Sequence, residues 1–347
     1  MQPKVSIIIP HFNGEEILTE CLDNLKNATY PDIEIIVVNN ASTDSSTDFI
    51  RDEYPNINLI ENDQNLGYAG GCNQGSEQAQ GKYLIFLNND TIQDPGWIEP
   101  LVSIMERKPQ VAAIQPKILN YYHKDRFDYA GGAGGAMDIL CYPFARGRLF
   151  LSQENDFGQY DDATSVFWAS GTAIMVRKDI FEKAGRFDEL FFAHMEEIDL
   201  CWRFHLMGSE VWCEPKSLIY HKNAMTLPMF SLKKYYLNHR NSLIMISSNF
   251  SLPVTLYLFL FRYVLEWVAL AYSFSKLDWP HIGGIIKAHL WLFVHPYIIY
   301  KKRKHVKSIR VKKDRFIMRK MYQGSIVLTH YLGRKKTYGD ITDIASS

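Results

Sequence analysis

Three carboxylates lie close together near the middle of the chain, in a stretch otherwise rich in large apolar residues. They are Glu196, Glu197 and Asp199. A carboxyl group shielded from water has a raised pKa, which suits it to act as a general base near neutral pH. Asp199 precedes Arg203 by four residues, a helical spacing that favours a structural ion pair. For the two glutamates the alternative is a helix start, where acids favour the N-terminal end of the dipole, and both interpretations can hold at once.

Polar residues also follow three apolar runs that have the composition of buried strands. The polar turns that end these runs are 11–14, 39–44 and 88–90. In the last of them, Asp90 follows the run YLIFL, and a carboxylate at the end of a central strand is well placed to bind a hard divalent cation. The alternative is an aspartate that caps a turn or a helix. His221 also ends a predicted strand, where a single histidine is either structural or a ligand.

Two glycine-rich stretches invite a functional interpretation, each with a structural alternative. In 65–75, glycines would let the backbone approach a ligand and leave N–H groups free for phosphate, or they would form a plain turn before a helix. In 120–160 the periodicity fades around a second glycine run, which indicates either an irregular surface excursion or a flexible lid.

The elements that must position these residues follow from the order of the apolar runs. The run VSIIIP precedes a helix whose apolar residues share one face, and the run IEIIVV follows it. A strand, a helix and a strand at this spacing form a βαβ unit, which predicts an α/β fold with a mostly parallel, Rossmann-like sheet flanked by helices. Ligands of such sheets bind at the carboxyl ends of the strands, where the polar turns lie.

The composition of the 347 residues predicts two parts with different partners. The net charge is zero, but residues 226–347 hold 20 Lys and Arg against five Asp and Glu, so residues 1–225 carry the opposite excess. We therefore predict a domain at 1–225 and a basic, apolar helical region at 226–347. Five cysteines without a CxxC pair indicate structural thiols in a reducing compartment. The chain enters its first predicted strand at once, so no signal peptide is expected.

The C-terminal region combines apolar helical runs with positive charge. The run 252–274 contains Arg262 and Glu266, and a central arginine costs about 2.5–3.5 kcal/mol on membrane-insertion scales. A helix that lies in the membrane interface avoids this cost, and eight Lys and Arg at 301–313 favour an anionic membrane surface. Whether the helices span or lie on the membrane stays open, as does a soluble helical subdomain. No nucleic-acid-binding motif accompanies the charge, so no nucleic acid partner is expected.

Six motifs in order together resemble one known family. They are VSIIIPHFN, VVNNASTD, NLGYAGGCNQG, LIFLNND, ASGTAIMVRKDIFEKAGRFDE and EEIDLCWR. Residues 4–222 are similar to the family 2 glycosyltransferases of GT-A fold, and most similar to rhamnosyltransferase-type members that build bacterial surface polysaccharides. The resemblance implies transfer of rhamnose or another hexose, with inversion, from a nucleotide-diphosphate donor to a hydroxyl of a glycan or lipid-linked acceptor. It also implies Mg²⁺ or Mn²⁺ as cofactor and a cytoplasmic enzyme, peripheral on the inner face of the cell membrane; a homo-oligomer is left open.

The resemblance also assigns roles to residues at the matching positions. The nucleotide and diphosphate would contact Pro10, Phe12, Asn13, Asn39, Asp44, Asn65, Gly67, Asn73 and Asn89. The metal would take Asp90 and His221, and the sugars would border Trp168, Ser170 and Gly171. Glu197 would be the base, with Glu196 as the other candidate. The chain departs from the family pattern with Asn39 in place of Asp, a single carboxylate in 88–90, and Glu in place of Asp at the base.

Three rival functions are weighed against this one. A sugar nucleotidyltransferase would carry a loop rich in Gly and Arg directly after the first strand, where this chain has His11-Phe12-Asn13-Gly14. A processive polysaccharide synthase would carry a Gln-x-x-Arg-Trp motif, which the sequence lacks. A non-catalytic nucleotide-sugar-binding module remains an alternative because of the departures at the metal and base positions.

Overall fold

A mixed sheet forms the centre of the protein in the computed structural model, which describes residues 2–223 and 230–341. The predicted boundary between residues 225 and 226 lies outside the described residues. The strands are β1 (Val5–His11), β2 (Ile33–Asn39), β3 (Asn58–Glu61), β4 (Tyr83–Leu87), β5 (Thr91–Gln93), β6 (Val111–Asn120), β7 (Gly135–Met137), β8 (Pro143–Ala145), β9 (Arg148–Leu149), β10 (Ser152–Gln153), β11 (Thr164–Val166), β12 (Ala173–Arg177) and β13 (Glu210–His221).

Helices cover both faces of this sheet and continue to the end of the described chain. They are α1 (Glu15–Leu25), α2 (Ser46–Glu53), α3 (Gly67–Gln78), α4 (Ile98–Arg107), α5 (Lys178–Lys183), α6 (Glu196–Met207), α7 (Leu232–Asn249), α8 (Leu252–Lys276), α9 (Trp279–Val294), α10 (Pro296–Ile309), α11 (Asp314–Met318) and α12 (Ile326–Tyr331). A short 3-10 helix, Glu189–Phe191, precedes α6. The α/β prediction is confirmed.

The large sheet has the strand order β11-β13-β6-β12-β4-β1-β2-β3, and β5 pairs with β13. The half made of β3, β2, β1 and β4 is parallel, as the βαβ pattern predicts. The other half is mixed because β12 runs antiparallel to both β4 and β6. As a result, the turn before β12 lies beside the carboxyl end of β4, where the Asn88 N–H donates to the Thr172 carbonyl at 2.9 Å.

The first glycine run lies inside a helix and not in a phosphate-binding loop. Residues 67–78 form α3, whose glycines face the sheet. A Cβ on Gly71 would lie 2.9 Å from the Asn40 amide nitrogen, and one on Gly75 would collide with Ile8. These glycines therefore permit close packing of α3 on β1 and β2, and their N–H groups beyond the first turn are used by the helix itself.

The second glycine run lies in regular structure, which contradicts the expectation of an irregular surface excursion at 120–160, while a lid role stays a prediction. Strands β7 to β10 form a small antiparallel sheet beside the main one. Gly135 is buried against the face of the Trp168 indole, where any side chain would collide with the ring. A Cβ on Gly134 would collide with Val166 and one on Gly147 with the Phe127 ring, so these glycines permit close packing of the segment against its neighbours.

The C-terminal helices share one hydrophobic core with the sheet domain. Ile246 of α7, Phe250 directly after it, Leu258 of α8 and Val306 of α10 belong to the same cluster as residues of β1, β4 and α6. The apolar run at 282–300 is divided between two helices, because Pro296 cannot continue the hydrogen-bond ladder, and α9 and α10 are bent by 75° at this break. The helical region therefore supports the sheet domain directly.

Candidate functional site

The turns after β1 and β2 are joined at the carboxyl edge of the sheet. The Thr43 N–H donates to Asn13 Oδ1 at 2.8 Å, and the Gly14 N–H donates to Asp44 Oδ2 at 2.6 Å. Burial tends to raise the pKa of Asp44, but hydrogen bonds from Ser46 and from the Gly14 N–H outweigh it and lower the pKa below the usual value. Asp44 is therefore ionised, and it closes one side of the predicted donor site.

His11 and Asn89 connect this edge to the end of β4. The Asn89 amide nitrogen lies 2.9 Å from His11 Nδ1, and burial lowers the pKa of His11 to about 4. The imidazole is therefore neutral and accepts the amide hydrogen. Pro10 and Phe12 flank it, and Phe12 is exposed at the rim of the edge, where a planar base could contact its ring.

Asp90 and His221, predicted as metal ligands, lie together. His221 Nε2 is 3.1 Å from Asp90 Oδ1, and His221 Nδ1 is 2.9 Å from Asp128 Oδ1. Burial opposes protonation of the ring, but both carboxylates outweigh it and raise the pKa of His221 to about 10. Asp128 was missed by sequence reasoning, because it belongs to the segment without periodicity.

A divalent cation at Asp90 and His221 would take the place of the proton that His221 Nε2 shares with Asp90, and it would complete its coordination from outside the protein. A carboxylate oxygen and an imidazole whose other nitrogen is fixed by a carboxylate are a common pair of metal ligands. Within residues 2–223 and 230–341, no group of three or more His, Cys, Asp or Glu side chains could hold a metal ion by itself. Mg²⁺ typically takes one or two protein carboxylates together with substrate phosphates, so the pair fits a metal that arrives with a diphosphate.

Two of the predicted donor-site residues hold the backbone around the site. Asn39 uses both ends of its amide, donating to Thr47 Oγ1 at 2.8 Å and accepting from the Ser42 N–H at 2.9 Å. Asn65 accepts from the Gly67 N–H at 2.8 Å. The amide that Asn39 donates explains why an asparagine can replace an aspartate there. Contact of these residues with a nucleotide stays a prediction.

Gly67 and Asn73 tie α3 to the segment that leads into α6. Gly67 has a φ of +72°, and a side chain there would collide with the Phe192 carbonyl. Asn73 donates to the Phe187 carbonyl at 2.9 Å and accepts from the Phe187 N–H at 3.1 Å. The amide of Asn73 is thus engaged within the protein, and its effect on a diphosphate would be indirect.

Glu196 and Glu197 begin α6, as the helix-start interpretation predicts, and both are also shielded from water. Burial raises the pKa of Glu197 to about 7, and the N–H groups of the first helical turn limit the rise. Burial and the charge of Glu197 together raise the pKa of Glu196 further. Both pKa values are therefore raised, and the two carboxyl groups titrate as a pair in which ionisation of one disfavours ionisation of the other.

One oxygen of each glutamate has its hydrogen-bonding capacity unused within the described residues. Glu196 Oε2 and Glu197 Oε2 are buried and have no hydrogen-bond partner in the described part of the chain. Buried carboxylate oxygens are normally hydrogen-bonded, and exceptions often mark a redox or catalytic role. Asp199 differs from them, because it forms an ion pair with Arg203 at 2.8 Å and is structural, as its spacing predicts.

Tyr68 links the two halves of the site. Its hydroxyl donates to the Gly171 carbonyl at 2.6 Å, and Glu196 and Glu197 lie near enough to affect its ionisation. Burial, together with these charges, raises the pKa of Tyr68 well above its usual value, so the phenol remains a donor. The acid pair therefore lies across the 170–172 turn from the end of β4. The sequence offered no signal for Tyr68 beyond its place in the glycine run.

The structure places two of the predicted sugar-contacting residues beneath this turn. Trp168 is buried, and its indole N–H donates to the Ala136 carbonyl at 2.8 Å. Ser170 is also buried and donates to the Ala130 carbonyl at 2.8 Å. Their polar atoms are engaged inside the protein, whereas Gly171 is half-buried, and the prediction that these residues border the sugars stays a prediction.

Comparisons with known proteins agree with this geometry. Residues 6–185 match the family model described as Glycosyl transferase family 2. The O-antigen biosynthesis protein RfbC of Myxococcus xanthus is 30% identical over 230 residues, which are 64% of this chain and 18% of that protein. The N-acetylglucosaminyl-diphospho-decaprenol L-rhamnosyltransferase of Mycobacterium tuberculosis is 26% identical over 225 residues, which are 60% of this chain and 73% of that protein.

A solved structure extends the likeness to the fold. GalNAc-T7 with UDP, GalNAc and Mn²⁺ superposes with a TM-score of 0.66 at 14% identity, covering 95% of this chain and 58% of that chain. The chain thus spans only part of the length of these relatives. The family match nevertheless covers more than half of the chain, and the resemblance found in the six motifs is confirmed. The protein belongs to glycosyl transferase family 2.

Proposed function

We propose that the protein is an inverting glycosyltransferase that moves a hexose from a nucleotide-diphosphate donor to an acceptor hydroxyl during synthesis of a surface glycan. The observation that carries the proposal is the pair Glu196 and Glu197, each with an unpartnered buried oxygen. Both glutamates act on the ionisation of Tyr68, which donates to Gly171 in the turn that Asn88 joins to the end of β4. Family membership supports the reaction class, and the mycobacterial relative is by name an L-rhamnosyltransferase. Rhamnose is therefore the first donor sugar to test.

The residues act in a single displacement. Ionised Glu197 accepts the proton of the acceptor hydroxyl while the oxygen of that hydroxyl bonds to the anomeric carbon. The bond from this carbon to the diphosphate breaks on the opposite face. Glu196 stays protonated beside it, which keeps a second negative charge out of the acceptor site. Asp90 and His221 would hold Mg²⁺ or Mn²⁺, which supplies charge neutralisation for the leaving diphosphate.

A thermal-shift panel tests donor binding. UDP-, dTDP- and GDP-sugars are added with and without Mn²⁺, and the true donor is expected to raise the Tm by several degrees only with the metal, since a ligand at 100 times its Kd stabilises by about 2.7 kcal/mol. Asp90→Asn should abolish the metal-dependent part of the shift. No shift with any donor would contradict the proposal, and a shift without any transfer or donor hydrolysis would favour the binding module.

We further propose that the acceptor is presented at an anionic membrane and that α8 lies on that membrane without spanning it. In the described chain α8 is long and apolar enough to cross a bilayer, and α9 with α10 would pass only as a bent pair. One face of α8 is exposed and apolar, with Leu256, Leu260, Val264, Trp267 and Tyr272. Its charged residues Arg262 and Glu266 point into the protein, so the exposed face before Lys276 carries no charge.

The basic stretch on and after α10 supplies the charge complement of this face. The lysines and arginines at 301–313 follow α9 in sequence, and Lys301, Lys304 and Lys307 among them are exposed, as are Leu290 and Phe293 of α9. Each basic residue near an anionic leaflet contributes about 1 kcal/mol to binding. Because the inner face of α8 packs on protein, insertion of the outer face alone is the mode that this arrangement favours.

Vesicle flotation tests this proposal. Leu260→Glu is expected to reduce partitioning to vesicles that contain phosphatidylglycerol by about tenfold or more, since the variant loses one buried apolar side chain and adds a charge. Phe157→Glu is the matched control and should bind normally, because it also replaces an exposed apolar residue but lies outside the α8 face. Binding that is unaffected by Leu260→Glu, or that is equal without anionic lipid, would contradict it.

A further inference from the structure

The segment that leads into the acid pair has an unusual backbone. Phe192, His194 and Met195 have φ angles of 62°, 68° and 72°, in the left-handed region that residues with side chains rarely adopt. Each such residue costs about 1–3 kcal/mol and persists only where the surrounding structure determines it strongly. Glu196 and Glu197 follow directly, so the conformation of residues 190–195 sets where the two carboxyl groups point.

Helix α7 supplies hydrogen bonds that hold this segment. The Asn241 amide nitrogen lies 3.1 Å from the Phe191 carbonyl, 3.0 Å from the Ala193 carbonyl and 2.7 Å from the His194 carbonyl. Asn241 is fully buried. Three backbone carbonyls of this segment thus lie within hydrogen-bond distance of one side-chain amide from a different part of the chain.

Arg240 fixes the direction of that amide. Its Nε donates to Asn241 Oδ1 at 2.9 Å, which leaves the amide hydrogens of Asn241 facing the carbonyls. The same guanidinium donates to the Leu190 carbonyl at 2.6 Å and to the Phe191 carbonyl at 3.2 Å. Arg240 and Asn241 together therefore satisfy four carbonyls of the segment before α6.

We propose that Asn241, oriented by Arg240, is a positioning residue that holds residues 190–195, with the positive φ angles of Phe192, His194 and Met195, and thereby directs Glu197 toward the acceptor. Its catalytic consequence rests on the proposed function. Its structural consequence does not, because the hydrogen bonds and the φ angles are independent of any substrate. A misplacement of about 1 Å in a reacting group can reduce the rate by around a hundredfold, which sets the size of the effect.

A second buried asparagine on the same helix provides a matched control. Asn249 is also fully buried in α7, and it donates to Asp199 Oδ1 at 2.8 Å. Replacing Asn249 by alanine removes one buried amide and one hydrogen bond to α6 without touching residues 190–195. A loss of stability alone should therefore appear in both variants, whereas a displaced Glu197 carboxyl group should appear only in the Asn241 variant.

The experiment compares Asn241→Ala, Asn241→Asp and Asn249→Ala in the full chain by hydrogen exchange and by transfer kinetics. Both Asn241 variants are expected to speed amide exchange at residues 192–198 by about tenfold or more. They should also lower kcat by around a hundredfold with the donor KM within about twofold. Asn241→Asp preserves the volume but presents an acceptor to the carbonyls, so it separates donation from packing. Asn249→Ala should leave local exchange and kcat within about threefold of wild type.

Several results would overturn the proposal. They are wild-type exchange in both Asn241 variants, a kcat loss in Asn249→Ala equal to that in Asn241→Ala, or wild-type kinetics in Asn241→Asp. If Asn241→Ala does not fold, Arg240→Gln is the replacement, and it should shift exchange and kcat in the same direction. A wild-type protein without activity on any donor would contradict the proposed function. The exchange comparison would still decide whether Asn241 holds the conformation of residues 190–195.

Discussion

Glu197→Gln is expected to lower the rate of sugar transfer by about 10²–10⁴-fold, the usual contribution of a general base, while donor binding stays within about twofold of wild type. The glutamine retains the shape of the side chain but cannot accept the proton of the acceptor hydroxyl. Because the pKa of Glu197 is raised to about 7, kcat of the wild type should rise with pH through this region and level off above it. Initial rates over pH 5.5–9, as roughly the accessible range, measure both effects.

Glu196→Gln is the matched variant, because it changes the neighbouring residue that carries the proton. Removing the Glu197 charge has a large effect on the chemistry, whereas a neutral glutamine at 196 imitates the protonated form that the structure favours. Glu196→Gln should therefore retain transfer within about tenfold and shift the pH profile only slightly. Normal turnover in Glu197→Gln together with loss in Glu196→Gln would move the base to Glu196.

The raised pKa of Glu197 also predicts a pH dependence of folding stability, which should fall with pH where kcat rises. A carboxyl group whose pKa is raised on folding binds more protons in the native state than in the unfolded state between its two pKa values. Stability should therefore fall as pH rises from about 4.5 to about 7, the window between the ordinary pKa of glutamate and that of Glu197. Glu197→Gln removes this penalty, so the inactive variant should be at least as stable as wild type at pH 8.

The carboxyl ends of the parallel strands were predictable because local patterns encode them. The limits of β4 and the polar turns that follow β1, β2 and β4 agree with the apolar runs. Asp90 and His221 meet although 130 residues separate them in sequence. This meeting follows from two strands ending at one edge. The acid pair was also visible, since its apolar neighbours predict the burial that raises both pKa values.

The remaining features depend on contacts that no local pattern specifies. Asp128 and Tyr68 act through partners about a hundred residues away, and nothing in their neighbours in sequence indicates those partners. The glycines of α3 were misread because a glycine needed for close helix–sheet packing and one needed for phosphate binding have the same local signature. The left-handed residues before α6 are likewise set by α3 and α7, not by their own side chains.

The orientation of Arg262 and Glu266 is a further feature that the sequence alone does not specify. In sequence they argue against a helix in lipid, but the structure turns both inward, where Arg262 Nη2 lies 2.7 Å from Glu266 Oε1. Arg262 also donates to the Leu140 carbonyl at 2.8 Å, and Glu266 lies 2.7 Å from His239 Nδ1. Burial tends to raise the pKa of Glu266, but the charges of Arg262 and His239 outweigh it and hold the pKa well below its usual range.

Glu266→Ala is expected to destabilise the protein by about 3–5 kcal/mol, the usual result of removing one partner from a buried ion pair, because Arg262 then stays buried with its charge uncompensated. Urea unfolding followed by tryptophan fluorescence measures the change. Arg51→Ala breaks an exposed pair with Glu61 and, as the control, should change stability by about 0–1 kcal/mol. The double variant Arg262→Met with Glu266→Leu removes both charges and should recover most of the lost stability. If Glu266→Ala were as mild as Arg51→Ala, Arg262 would have to reach water or lipid headgroups, and the inward orientation that leaves the face of α8 uncharged would be wrong.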